Sequence, residues 1–265
     1  MELETTEAIF RLTTFAALLA VLLLLEMILP RTKGRLSRLI RWPANFGVGF
    51  LGLLLGRLLA PVSAIGVATL AADNDFGLLN VLQLPPALAL PAAVIALDGI
   101  IYLQHRAMHI FPVLWRLHRM HHTDVDIDVS TALRFHPFEI ALSLAIKLAA
   151  VSLLGAPALA VLVFEITLNG CAMFNHANLR IPIWMDRVLR VAIVTPDMHR
   201  VHHSVREQER ITNFGFCLSV WDRWLGTYTS QPSNGVENIT TGLPGYDAID
   251  SARIDRMLTN PLLKN

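Results

Sequence analysis

The sequence predicts an all-α integral membrane protein: a bundle of about four transmembrane helices, including a helical hairpin, with a cytosolic histidine-rich helical cap. Three observations predict it. Hydrophobic residues make up 54% of the 265 and charged residues only 16%, with a mean hydropathy of +0.49, where a soluble domain carries about 25% charged residues. Apolar runs long enough to cross a bilayer recur along the first two thirds of the chain. All ten histidines fall between His105 and His203, close to the ends of those runs.

The elements follow in order. The acidic start (Glu2, Glu4, Glu7) lacks the basic region of a cleaved signal, so the first apolar run, Leu12–Leu29, is expected to remain as an anchor. Arg31, Lys33, Arg35, Arg38 and Arg41 follow it. A second span is expected within Ala44–Ala71, followed by Asp73 and Asp75, and a third within Ala87–Leu103, its entrance shaped by Pro85, Pro86 and Pro91. The bias of basic residues toward the inside places the Arg31–Arg41 loop in the cytoplasm and the N-terminus outside. The third span then reaches the cytoplasm at His105. Two shorter runs, Phe138–Leu154 and Ala158–Phe174, are joined by Gly155-Ala156-Pro157, strong turn residues that predict a hairpin. Lys147 in its first arm weighs against full spanning. Both ends of the hairpin return to one side, beside His136 and His176.

Arg57, inside the second span, reads most simply as a snorkelling or bundle-packed arginine, and more sharply as a contact to a lipid head group. Ile181–Val194, with Trp184, Asp186, Arg187 and Arg190 among apolar residues, suits a helix lying in the interface. The chain thus divides into N-terminal helices and a basic loop (1–80), a histidine-rich catalytic region (81–230) and a polar cytosolic tail (231–265).

Eight histidines form three groups: His105/His109, His118/His121/His122 and His199/His202/His203. Residues three and four apart share a helix face, so each group is expected to aim its imidazoles at a common point. That many nitrogens exceed what one ion holds, which predicts two metals. His136 and His176 stand alone, where a structural role is the ordinary expectation. Imidazole suits zinc, copper, iron and nickel alike. Cys171 and Cys217 lack CxxC spacing and read as packing residues, with no disulfide framework, iron–sulfur cluster or thiolate zinc site. The net charge of +1 makes no case for nucleic acid.

The motif set resembles the membrane-bound fatty acid hydroxylase superfamily, which includes sterol desaturases, C-4 methylsterol oxidases and carotene hydroxylases. The stretches that carry the resemblance are Asp98–His109 (DGIIYLQHRAMH), Trp115–His122 (WRLHRMHH), Arg134–Glu139 (RFHPFE), Asn175–Asn178 (NHAN), Thr195–Ser204 (TPDMHRVHHS) and Asn213–Tyr228 (NFGFCLSVWDRWLGTY). They span about residues 90–230. The resemblance implies a site of two Fe ions that uses O2 to oxidise an unactivated C–H bond of a lipid lying in the membrane. It makes the three groups the main ligands, with His136 and His176 as further ones. Hydroxylation is the leading outcome and desaturation its nearest rival; a metal-dependent lipid hydrolase and a zinc carrier are the alternatives from other classes.

Ligating imidazoles usually pass their second N–H to a carboxylate or carbonyl. Asp98, seven residues before His105, and Glu165 and Asn169, eleven and seven before His176, are expected in that supporting role. Asp197 and Glu139 adjoin ligands and are similar candidates. Trp221, Asp222 and Trp224 belong to the last stretch, with an interfacial anchor as the plain alternative. The 265 residues contain no cytochrome b5 domain, GxGxxG fingerprint or ferredoxin cysteines. Electrons are therefore expected from a separate reductase, ferredoxin or cytochrome-type donor at the cytoplasmic face. The Ala/Leu/Arg-rich spans favour a bacterial inner membrane, with the endoplasmic reticulum as the eukaryotic equivalent.

Overall fold

In the computed structural model the backbone is described over residues 2–60 and 62–263, and side chains from Ile9 onward within that range; the side chains of Glu2, Glu4 and Glu7 lie outside the described residues. The fold is all-helical among these residues, apart from three isolated β-bridges. Five stretches are long and apolar enough to cross a membrane: Ile9–Ile28, Arg38–Val81, Pro86–Ile110, Pro137–Leu154 and Ala158–His176. Counting the hairpin arms separately accounts for the number, and by this measure the chain is a membrane protein.

Helix α1 (Glu2–Ile28) precedes the basic loop, and α2 (Arg38–Leu59) begins at Ser37, whose side chain accepts from the Leu39 N–H at 3.2 Å. The expected second span is two helices. The α2 segment ends at Leu59, and α3 (Ala64–Asp73) starts afresh with Ser63 Oγ accepting from the Gly66 N–H at 3.0 Å, satisfying an amide a new helix start leaves open. A short α4 (Leu78–Val81) leads to α5 (Pro86–Ile110). Proline again marks a start at α6 (Pro112–His122), where the missing N–H costs nothing.

Helices α7 (Pro137–Leu154) and α8 (Ala158–His176) are the predicted hairpin. Gly155 stops α7 in the left-handed conformation, φ +62°, which glycine adopts without strain. The arms do not close on each other. Helices α3 and α5 pack against both, filling the gap with a core of Ala64, Ala68, Ala93, Leu97, Ala160 and Phe164. A Lys147–Glu165 ion pair joins the arms midway. Such pairing is how a charge in an apolar span is accommodated.

The cap carries α9 (Ile183–Leu189), α10 (Pro196–His202), α11 (Glu207–Arg210) and α12 (Val220–Trp224). The expected interfacial helix is shorter than Ile181–Val194. It does present Ile183, Trp184 and Val188 outward, but Asp186 is buried and pairs with Arg190 and Thr195. Beyond Leu189 the chain turns, and Ile193 bridges to Leu218.

The arginines of the basic loop and of the start of α2 bind the cap and the end of α1. Arg31 pairs with Asp197 (2.9 Å) and Glu237 (2.7 Å), Arg38 with Glu26 (3.0 Å), and Arg41 with Asp124 (2.8 Å) and Asp128 (2.9 Å). The loop and the histidines are therefore on one side. Burial raises the Asp124 carboxyl, but Arg41 and Arg134 outweigh it and hold the group at about 2. The polar tail folds back on the same cap. Asn260 and Leu263 accept from Arg119, the Ser251 carbonyl accepts from Arg134 at 2.6 Å, and Met257 is buried.

Candidate metal centre

Helix α5 delivers His105 and His109 in its last two turns. The chain turns at Phe111-Pro112 and α6 packs against α5, bringing together histidines thirteen residues apart: His105 Nε2 lies 3.2 Å from His118 Nε2, and His109 Nε2 lies 3.2 Å from His122 Nε2. With His202 from α10, these form one group of five. His121, His176 at the end of α8, His199 and His203 form a second group of four. In each group the candidate ligand nitrogens lie within 4.8 Å of one another.

The two HxxHH motifs do not each converge on one point. In both, the first and last histidines (118 and 122; 199 and 203) share a centre, while the middle one (121; 202) turns to the other. The i,i+4 pair shares a helix face, and a neighbour one residue away projects about 100° from it. Each cap helix thus serves both centres.

Of the ten predicted ligands, nine enter the two groups, including the isolated His176, whose Nε2 lies 3.0 Å from His121 Nε2 and 3.0 Å from His199 Nε2. His136 lies in neither. Its ring caps α7, Nδ1 accepting from the Phe138 N–H at 3.2 Å while Nε2 donates to the Leu258 carbonyl at 3.3 Å.

Hydrogen bonds at the outer edge of five rings select the inward nitrogen. A carbonyl oxygen can only accept, so Nδ1–H of His105 donates to Phe214 O (2.8 Å), of His121 to Arg134 O (3.2 Å), of His176 to Ala172 O (2.7 Å) and of His202 to Thr212 O (2.8 Å). His118 Nδ1 meets the Glu139 carboxylate at 2.7 Å. Each bond leaves Nε2 as a bare lone pair facing the group. Burial holds His121, His122, His199 and His203 well below the usual imidazole range; it takes His202 to about 3, outweighing its bond to the Thr212 carbonyl. Burial thus favours the neutral form of these five rings, the form that ligates metal.

The donors fit a pair of metal ions. Neighbouring nitrogens stand 3.0–3.3 Å apart, and ligands about 2.1 Å from a shared ion are separated by roughly 2.9–3.4 Å. The buried His202 Nε2 has no hydrogen-bond partner among the described residues, an arrangement costly for a polar atom unless something binds it. An all-imidazole set accepts iron, among other metals.

The four supporting candidates sit elsewhere than beside the rings. Asp98 accepts from the Cys217 and Leu218 amides (3.3 and 3.1 Å) and from Trp221 Nε1 (2.8 Å), fixing the 214–221 loop whose Phe214 carbonyl holds His105. Asp197 binds Arg31, and Glu165 binds Lys147 and Arg11. Asn169 lines a cavity among the spanning helices. Asp222 caps the same loop, accepting from the Phe214 and Gly215 amides at 2.8 and 2.9 Å. Trp221 and Asp222 therefore act inside the fold, whereas Trp224 is 74% exposed.

A cavity of about 960 Å3 reaches the first group from the membrane-spanning helices, lined by residues of α1, α2, α3, α5, α6, α7 and α8, of the 132–135 turn, and by Phe216. Of the nine clustered histidines only His105 and His118 line it. Its wall is mainly apolar (Phe15, Leu53, Ile101, Met108, Leu133, Phe135). Arg11, Arg57 and Asn169 also line it, as do Glu139, bonded to His118, and the Gln104–Ser143 pair, one residue before His105 and one turn after Glu139.

An all-helical membrane bundle carrying two largely buried polyhistidine groups has the donor sets of a membrane metalloprotein. The fatty acid hydroxylase family model matches residues 90–227, just over half of the chain, and the chain belongs to that family. Among its relatives, the ornithine lipid hydroxylase of Rhizobium tropici is 30% identical over 150 residues, covering 57% of this chain and 44% of the relative. The alkylglycerol monooxygenases of Homo sapiens and Caenorhabditis elegans are 26% and 29% identical, covering 60% and 51% of this chain and 34% and 26% of theirs. The matches thus span less than half the length of these relatives. No solved structure matches the chain.

Proposed function

We propose that the chain is an O2-dependent lipid hydroxylase with a di-iron centre. The observation that carries this is the pair of converging histidine groups, one of them opening onto a mainly apolar cavity between the spans. Two iron ions held there would supply the oxidation, with O2 and two electrons from a separate reductase, ferredoxin or cytochrome-type donor. His105, His109, His118, His122 and His202 would hold one ion and His121, His176, His199 and His203 the other. The chain itself contributes geometry. Phe214, Thr212, Arg134 and Ala172 carbonyls and the Glu139 carboxylate orient the rings, Asp98 and Asp222 fix the 214–221 loop against them, and the cavity presents a chain-bearing lipid to the His105–His118 edge. The relatives are named as a hydroxylase and monooxygenases, which favours oxygen insertion over desaturation. The basic loop bound to the cap supports a cytoplasmic position for the site.

The test expresses the chain in bacterial membranes, measures bound metal and compares lipid extracts by mass spectrometry with those of a His202→Ala form. Near two irons per chain and a lipid heavier by one oxygen, absent in the variant, are expected. A lipid lighter by two hydrogens points to desaturation. An iron-free protein with unchanged lipids sinks the proposal.

A further inference from the structure

Two oxygens of residues lining the cavity, one beside His105 in sequence and one on the carboxylate that meets His118, are buried with no hydrogen-bond partner among the described residues. Glu139, 3% exposed, gives one carboxylate oxygen to His118, and its Oε2 is unpaired. The Gln104 amide is held by Ser143 at one end, and its Oε1 is unpaired. Both residues line the cavity beside His105 and His118. A buried acceptor facing hydrocarbon is strongly unfavourable, whereas one meeting an O–H or N–H is satisfied.

Depth in the membrane points the same way. His105 lies near the end of α5 and Glu139 in the first turn of α7, so this end of the cavity sits where helices leave the apolar layer. A lipid resting in that leaflet brings its head, not its tail, to this level. Its chain has a way out: α1 packs on α8 and α2 on α7, and between α1 and α2 the cavity wall includes the outward-exposed Leu12, Phe50 and Leu53.

From this placement we infer that the cavity binds its lipid head-inward. Hydroxyl or amine donors of the polar head pair with Gln104 and Glu139, the chain runs out between α1 and α2, and the oxidised carbon lies in or next to the head. The inference deepens the hydroxylase reading and rests on it for the reacting carbon, but not for binding.

Binding is measured on metal-free protein in nanodiscs with two probes of equal chain: 1-O-hexadecylglycerol, which carries hydroxyl donors, and hexadecyl methyl ether, which carries none. The glycerol ether is expected to bind about tenfold tighter or more, the worth of one good buried hydrogen bond. Gln104→Leu should abolish most of that preference while leaving the methyl ether's affinity unchanged. Ser143→Ala, which frees the amide without adding bulk, should reduce it several-fold and serves if the leucine variant does not fold. Equal affinity of the two probes in the wild type overturns the inference. In iron-loaded enzyme, fragmentation of the product should place the new oxygen on the head or the first carbons of the chain; oxygen in mid-chain also overturns it. A retained probe preference with no O2-dependent product sinks the hydroxylase reading and leaves the head-group site standing.

Discussion

Among the described residues Glu139 is the one carboxylate that meets a histidine of either group, and its removal gives the sharpest test of how the rings are held. The His118 Nδ1–Oε1 contact is 2.7 Å with both side chains buried. A hydrogen bond to a charged group is worth about 1.5–3 kcal/mol and a neutral one about 0.5–1.5. Glu139→Gln, which keeps an acceptor and loses the charge, should therefore weaken the His118 side by roughly 1 kcal/mol, about fivefold in metal affinity. Glu139→Ala leaves the ring N–H buried and unpaired, and loss of such an orienting partner costs about 10–100-fold, or 1.4–2.8 kcal/mol. Only the first group should respond, because in the second the outer nitrogens of His121 and His176 bond to carbonyls of Arg134 and Ala172. The assay is iron titration of the purified protein against a competing chelator, resolving two binding steps. A graded loss, glutamine between wild type and alanine, confined to one step is expected. Equal effects of the two variants, or an equal shift of both steps, would refute the orienting role.

The interleaved ligand sets make a crossed prediction: His122→Ala with His202→Ala should leave one ion bound, His121→Ala with His199→Ala the other, while His121→Ala with His122→Ala should weaken both; metal analysis of the three double variants checks it. Metal-free protein should lose stability in acid, because the unfolded chain protonates its histidines near pH 6.5 while the folded rings stay neutral, His202 down to about 3. The loss begins as pH falls through 6.5 and steepens by about 1.4 kcal/mol per pH unit for each ring that stays neutral; flat melting temperatures of chelated protein between pH 7.5 and 5 would contradict it. Gly155→Ala should lower the melting temperature without changing metal stoichiometry, since its φ is +62° and a Cβ would stand 2.8 Å from Asn80 Nδ2 and from Phe76 O; the conformation alone costs about 1–2 kcal/mol.

The hairpin was legible because Gly155-Ala156-Pro157 combines a left-handed stop with a helix start, and the histidine groups were legible as helix-spaced ligands. What spacing conceals is reach. Asp98 shares a helix face with His105, but seven residues rise about 10.5 Å, beyond a hydrogen bond from an aspartate to that ring; its carboxylate instead holds the 217–221 backbone. Glu165 is farther still from His176, and it balances Lys147 and Arg11. The groups that do orient the rings are mostly main-chain carbonyls, which carry no residue signature. Glu139 lies three residues from His136 in sequence, yet its partner is His118, a contact that exists only because α7 folds against α6.

The division within each HxxHH motif has a mechanical consequence that three separate clusters would not. Because α6 gives two rings to one group and one to the other, and α10 with His203 repeats the pattern in reverse, neither helix could shift, with metal bound as proposed, without straining both sets of bonds. Helix α5 adds ligands to the first centre only, and α8 to the second only. The cap helices therefore fix the distance between the centres, and the spanning helices fix their depth. Only the first centre meets the cavity, so a substrate approaches one side of a pair whose far member is locked in place by the same two helices.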